Sequence, residues 1–193
     1  MAEDLRKPFV CPWWLGYFLL IPFRRLSQDP EKILTPFVRE GMTVLEVGPG
    51  MGYFTLTLAR LVGTSGNVVC VDVQEKMLSA LLKRAKKAGL EQRISAVMAD
   101  EDSLRIEGYA ERVDFAIAFA VVHEVTDQAR MFEQISRCLK PGSMLLFSEP
   151  TGHVAPEEFR KSVEIAQSKG FEVANTLHIK RSLTVLLRKR GRE

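Results

Sequence analysis

Cysteine is scarce in this chain, and the three that occur, Cys11, Cys70 and Cys138, form no close pair. An odd, scattered set argues against a disulfide framework and a zinc ribbon, so a reducing, cytoplasmic compartment is the default expectation. No metal-type cluster stands out, and no metal is expected. Also missing is an apolar run long enough to cross a bilayer. Residues 9–23 are uncharged, but they number only 15 and are bracketed by Pro12 and Pro22. A helical span needs roughly 20. Acids at Glu3 and Asp4 precede the run and no small-residue cleavage site follows, so it does not resemble a signal peptide. It reads as an apolar helix that packs on the domain or lines a pocket.

An excess of one charge sign is absent from most of the sequence. Residues 1–180 carry 22 Lys+Arg against 23 Asp+Glu, and the net of +3 comes from the last 13 residues, which hold five basic groups and one acid. Nucleic-acid enzymes usually present a basic face, because phosphate contacts supply much of their affinity. The neutral body weighs against such a substrate, and Arg188-Lys189-Arg190-Gly191-Arg192 reads as a solvated, frayed terminus. Repeats and low-complexity stretches are absent too. What is present is the composition of an ordinary globular domain: 193 residues, 46% hydrophobic and 26% charged, enough for one domain with a real core.

From Met42 onward strand-like and helix-like segments alternate. Strands are expected at 43–47, 67–73, 93–98, 113–119 and 143–148. Helices are expected at 53–61, 74–88, 127–139 and 156–169. In the second helix Met77, Leu78, Leu81 and Leu82 fall at helical spacing. Lys140-Pro141-Gly142 should end the third. This alternation implies an α/β fold, a Rossmann-like, mostly parallel sheet with helices on both faces. Two last strands, 171–179 and 183–187, lack a helix between them, so they should form an antiparallel hairpin. Residues 1–40 stand apart as an N-terminal helical cap segment, with 41–193 as the main domain. Asp29 is placed as an N-cap with Pro30 first in its helix, and Pro36 should end or kink that helix.

The loop Gly48-Pro49-Gly50-Met51-Gly52 follows the first strand, where ligands bind open parallel sheets. It lacks the glycine at 53 that a dinucleotide fingerprint requires, since Tyr53 stands there. It also lacks the Gly-Lys-Ser/Thr ending of a P-loop. Glu46, two residues before the loop, is awkward for a pyrophosphate and suits a ligand carrying an ammonium group, such as the methionine end of S-adenosylmethionine. Asp72 ends the second strand, where an acid can accept hydrogen bonds from ribose hydroxyls. Asp100 follows the third, where it can accept from an adenine amino group. Singly, each acid is more often a cap or turn former. Three at the tips of three successive strands form a pattern.

These residues resemble the class I S-adenosylmethionine methyltransferases, especially the small-molecule branch that includes quinone-biosynthesis enzymes. Val44 to Gly52 resembles the first family motif and Val71-Asp72-Val73 the acidic strand end. The stretch Ala99-Asp100-Glu101-Asp102-Ser103-Leu104 resembles the adenine motif. Ala118-Phe119-Ala120-Val121-Val122-His123-Glu124-Val125 resembles the segment after strand four, and Leu139-Lys140-Pro141-Gly142 the turn before strand five. The resemblance covers about residues 40–190. It implies a seven-stranded sheet, S-adenosyl-L-methionine as cofactor, and a cofactor site at Glu46, Gly48, Gly50, Gly52, Asp72, Val73, Asp100, Glu101 and Ala118.

Methyl transfer from an activated sulfonium is an in-line displacement, so positioning is the first demand. A base is needed only when the acceptor must lose a proton early. His123 and Glu124 are the catalytic candidates, with turn capping as the plainer role, and Glu124 stands where many relatives carry histidine. Glu149 and His153 are weaker candidates, read as loop polars. Trp13, Trp14, Tyr17 and Phe18, with Tyr53, are expected to line an apolar substrate pocket; plain helix packing is equally consistent with them. Family members that methylate base amino groups carry Asn/Asp-Pro-Pro-aromatic after strand four, whereas Phe119-Ala120-Val121-Val122 stands here. The expected partner is therefore a small, partly apolar metabolite, with neither nucleic acid nor a transmembrane segment. RNA or protein methylation and a non-catalytic, cofactor-binding regulator are the alternatives.

Overall fold

The computed structural model describes residues 28–100 and 102–191. The chain enters at a short helix, α1 (Pro30–Leu34), capped by Asp29, whose side chain accepts the Glu31 N–H. Pro30 opens this helix, and the chain turns before Pro36, because a residue preceding proline disfavours the helical region. Strands β1 (Thr43–Val47), β2 (Asn67–Asp72), β3 (Ile94–Met98) and β4 (Val113–Phe119) follow. Helices α2 (Thr55–Leu61) and α3 (Glu75–Lys87) lie between the first three strands. Then come α4 (Gln128–Cys138), β5 (Leu139–Pro150), α5 (Pro156–Ser168), β6 (Phe171–Thr176) and β7 (Ser182–Lys189).

The seven strands form one sheet in the order β3-β2-β1-β4-β5-β7-β6. Every pairing is parallel except those of β7, which runs antiparallel to both β5 and β6. The expected hairpin therefore exists, and its second strand is inserted beside β5. Alternate residues of each strand feed opposite faces. Leu45, Val47, Val69, Val71, Ala116 and Phe147 pack toward α4 and α5, while Val44, Val68, Cys70, Phe115 and Ile117 pack toward α1, α2 and α3. Burying both faces explains the near-continuous apolar strands.

Four details depart from the sequence reading. Helix α2 starts at Thr55 rather than Tyr53. Leu82 remains 37% exposed, because α3 buries Met77, Leu78, Leu81 and Ala85 instead. Strand β5 begins at Leu139, with residues 140–143 accommodated as an irregularity between the pairs Val113–Leu139 and Phe115–Met144. Strand β6 stops at Thr176, and Ile179, read as strand, is buried from the connecting turn. The basic tail needs the largest correction. Strand β7 runs to Lys189, the Arg188 guanidinium lies 3.3 Å from Glu172, and the Lys189 ammonium donates to the Leu139 carbonyl at 2.6 Å. Arg188 and Lys189 belong to the sheet and are not a frayed end.

Candidate active site

Strand order reverses between β1 and β4, since β1 is followed by its neighbour on one side and β4 lies on the other. The crevice at such a reversal is where open α/β sheets hold ligands. The glycine loop leaves β1 there, and each glycine has its own cause. Gly48 continues the ladder by donating to the Val71 carbonyl at 2.9 Å. A Cβ built on it would sit 2.7 Å from Val121 Cβ and closer still to Cγ2, so only glycine lets the β4 loop approach. Gly52 turns at φ +82°, with Leu81 Cγ 3.1 Å from the position of a Cβ. Gly50 also has positive φ, +53°, but a Cβ there would meet nothing within 4 Å. Its backbone faces open space, which suits close approach of a ligand.

Asp72, at the tip of β2, joins this loop. Its carboxylate accepts the Gln74 N–H at 2.9 Å and further N–H donation from Gly50 and Val73. Burial nonetheless outweighs these donors and pushes its pKa up to about 6. Beside it, Val73 is 46% exposed and Met98, ending β3, is 41% exposed. Apolar side chains this open at two neighbouring strand tips offer a flat surface next to an acid. Asp100 lies just beyond, its N–H donating to the Ser103 carbonyl and its carboxylate 2.5 Å from Arg105 Nε. An adenine amino group would have to share that carboxylate with Arg105.

Two expected cofactor residues present no face to a ligand. Ala118 is wholly buried, paired with Val47 and Phe147 inside the sheet. Ala120, at φ +59°, is the residue that bends out of β4. Glu46 is 3% exposed and points beneath the loop, because its place in β1 sets it on the α2 side with Cys70. There it accepts the Thr55 hydroxyl at 2.6 Å, tying the loop's entry to the start of α2. The neighbouring Cys70 thiol is held well above its ordinary pKa by burial and then by Glu46, which makes it inert. Glu101, Trp13, Trp14 and Tyr17 lie outside the described residues.

On the β4 side a short turn, Val122–Glu124, carries His123 and Glu124. Here the structure brings together residues that the sequence reading ranked apart. The fully buried Glu149, near the end of β5, accepts the Val122 N–H at 2.8 Å and the His123 N–H at 3.2 Å through Oε1. Its Oε2 lies 2.5 Å from His123 Nδ1. The Glu149 hydrogen bond raises the His123 pKa against half-burial, assisted by the charges of Glu149 and Glu124. His153 stands edge-on, its ring centroid 6.0 Å away.

Tyr53 points its hydroxyl at the Gln28 carbonyl, 2.8 Å away, and Gln28 in turn donates to Ser182 at 3.0 Å. Ser182 pairs with Pro150 at the carboxyl end of β5. The described chain therefore starts at the edge of the sheet that holds the glycine loop and His123. A separate cavity of about 460 Å³ lies on the outer side of α3, lined by Met51, Glu75, Lys76, Ser79, Ala80, Lys83 and Arg84. It includes none of Asp72, Asp100 or His123 and is not the crevice at the strand ends. Among the described residues there is no group of side chains arranged to hold a metal ion.

The donor set fits a cationic sulfonium nucleoside. The open backbone at Gly50 would admit its amino-acid end, the Asp72 carboxylate could accept from ribose hydroxyls, and exposed Val73 and Met98 offer a surface to an aromatic base. Comparison with known proteins agrees. A family described as a methyltransferase domain matches residues 38–191. The ubiquinone/menaquinone biosynthesis C-methyltransferase UbiE of Idiomarina loihiensis is 32% identical over 142 residues, covering 72% of this chain and 56% of that protein. UbiE of Pasteurella multocida is 33% identical over 116 residues, covering 58% of this chain and 42% of its own length. The chain thus spans about half the length of these relatives. A crystal structure of an S-adenosylmethionine-dependent methyltransferase from Aquifex aeolicus superposes with a TM-score of 0.83 at 26% identity, over 93% of this chain and all of that one. The chain belongs to the methyltransferase-domain family, and its cofactor is S-adenosylmethionine.

Proposed function

We propose that the protein transfers a methyl group in line from S-adenosylmethionine to a small, partly apolar metabolite in the cytoplasm. The two relatives that carry the name C-methyltransferase support a carbon acceptor. Bound at the crevice, the cofactor supplies an electrophilic methyl on sulfur. The protein's part is to hold it and to shape the acceptor's approach. Gly48, Gly50 and Gly52 bring the backbone close, Asp72 accepts from the ribose, Val73 and Met98 flank the base, and Asp100 serves its amino group in exchange with Arg105. Glu46 acts from beneath by fixing the loop to α2.

The observation that carries the reading is the position of Gln28 between Tyr53 and Ser182. Gln28 itself stands at the carboxyl end of the sheet, where an acceptor must bind, and this supports assigning the acceptor's cover, with Trp13, Trp14 and Tyr17, to the sequence before it. On this reading residues 1–40 are the segment assigned to cover the acceptor, with its Leu34 and Val38 anchored in the core of the cofactor domain that follows. Full burial of one large apolar side chain is worth roughly 1.5–3 kcal/mol, which gives such a segment reason to pack there.

Calorimetry with S-adenosylhomocysteine and NAD, followed by a metabolite panel scored by S-adenosylhomocysteine release, tests the proposal. Binding of S-adenosylhomocysteine without comparable NAD binding is expected. Removing residues 1–27 should abolish release while leaving a folded domain with weakened cofactor binding. Tight NAD binding with no response to S-adenosylhomocysteine would overturn the reading.

A further inference from the structure

We propose that Glu149 is a positioning residue that fixes the tautomer of His123, making His123 Nε2 the atom that takes a proton from the methyl acceptor. This rests on the methyltransferase reading and adds that the acceptor's nucleophilic atom must shed a proton during transfer.

The division of labour between the two Glu149 oxygens carries the inference. Oε1 takes the Val122 and His123 amides and so caps the turn. Capping is complete with that oxygen alone, yet Oε2 is placed 2.5 Å from His123 Nδ1. A carboxylate has no hydrogen to lend, so the proton in this contact belongs to Nδ1. In the neutral ring Nε2 is then left as the acceptor. Nε2 faces away from Glu149; Glu124 Oε1 is 3.9 Å from it, beyond hydrogen-bonding distance. Among the described residues, the titratable groups around the ring are Glu149 from β5, Glu124 from the same turn and His153 from the loop after β5. The two carboxylates favour an imidazolium once a proton arrives. The turn itself is held at the crevice by Val121, whose side chain packs against Gly48.

Written for an acceptor X–H, the X–C bond forms as the C–S bond breaks with its electron pair left on sulfur. The X–H proton moves to His123 Nε2. The products are methylated X, a neutral thioether and an imidazolium stabilised by Glu149. Glu149 touches neither reactant.

The change Glu149→Gln separates this role from a structural one. The amide oxygen can retain both backbone hydrogen bonds, whereas the amide nitrogen can only donate to Nδ1 and so drives the proton to Nε2. The analogous carboxylate-to-amide change in a Ser-His-Asp triad costs about 10⁴ in kcat by selecting the wrong tautomer.

Nitrogen-15 NMR of the full chain with labelled histidine reads the outcome, beside calorimetry with S-adenosylhomocysteine. Wild-type His123 should be the Nδ1–H tautomer with a midpoint above the ordinary 6.5. Glu149→Gln should become Nε2–H, with its midpoint lowered by loss of the carboxylate, while affinity for S-adenosylhomocysteine stays within about threefold, a free-energy change well under 1.4 kcal/mol. An Nε2–H wild type, or a variant with unchanged tautomer and midpoint, would overturn the inference. If the variant fails to fold, the wild-type tautomer decides alone. Absence of S-adenosylhomocysteine binding to the wild type would strike the methyltransferase reading and leave the tautomer result standing.

Discussion

Burial holds the Asp72 carboxyl at about 6 rather than 3.8, although three backbone N–H groups favour its charged form. Hydroxyl donors from a ribose also favour that form, so binding must release a proton wherever Asp72 is still protonated. Affinity for S-adenosylhomocysteine should therefore rise several-fold from pH 5 to 6 and level off above 7. Asp72→Asn should flatten this profile, and Asp72→Ala should weaken binding by about 1.5–3 kcal/mol per lost hydrogen bond, roughly 10- to 100-fold each. A flat wild-type profile by calorimetry would contradict the assignment. The loop glycines make a second contrast. Gly48→Ala combines positive-φ strain of about 1–2 kcal/mol with overlap on Val121, which adds about 1–3 kcal/mol. Gly50→Ala carries the strain alone. Urea melts should rank Gly48→Ala as the less stable, while Gly50→Ala should lose cofactor affinity beyond its modest loss of stability.

Elements explain why part of the site could be read from the sequence and part could not. Glu46, the glycines and Asp72 lie at fixed offsets within one β-α-β stretch, so local pattern brought them to one strand end, while the turn of Glu46 beneath the loop toward Thr55 depends on packing that the pattern does not carry. The partnership of His123 and Glu149 joins residues 26 apart in sequence. It exists because β4 and β5 are adjacent and in register, with Phe119 opposite Ser148. Both residues follow those two paired positions, and that shared place was the available signal. Packing decided the remaining differences, as at Leu82 on the rim of α3 and Ile179 buried from a turn. Strand β7 gives the element-scale prediction. Deleting residues from Arg188 onward removes the Arg188–Glu172 and Lys189–Leu139 contacts and should lower thermal stability. Neutralising only Arg190 and Arg192 as glutamine should leave the melting temperature and cofactor affinity nearly unchanged. A salt-sensitive RNA affinity lost in that double variant would instead favour a nucleic-acid substrate.

At the scale of the whole molecule, His123 and Asp72 bend the stability profile in the same direction. Both have folded-state pKa values raised above their ordinary ones. The stability each supplies is full below its ordinary value and is lost as pH rises through the raised one. For Asp72 that window runs from 3.8 to about 6; for His123 it begins near 6.5. Thermal melts should show the wild type losing stability from pH 6 to 8, and Glu149→Gln should lose less over that range. A variant with the wild-type slope would mean the pair does not govern it.

The place of β7 bears on how the molecule is made. It is synthesised after β6 yet lies inside the sheet, between β5 and β6. A ribosome therefore exports β6 before its hydrogen-bonding neighbour exists. Until residues 182–189 emerge, β5 carries a bare edge and β6 has no place beside it. Bare edges in a growing chain invite pairing with other chains. Translation pauses or frameshifts in the codons for residues 182–189 should thus send this protein to chaperones and proteases, even though the crevice for the cofactor has by then been fully translated.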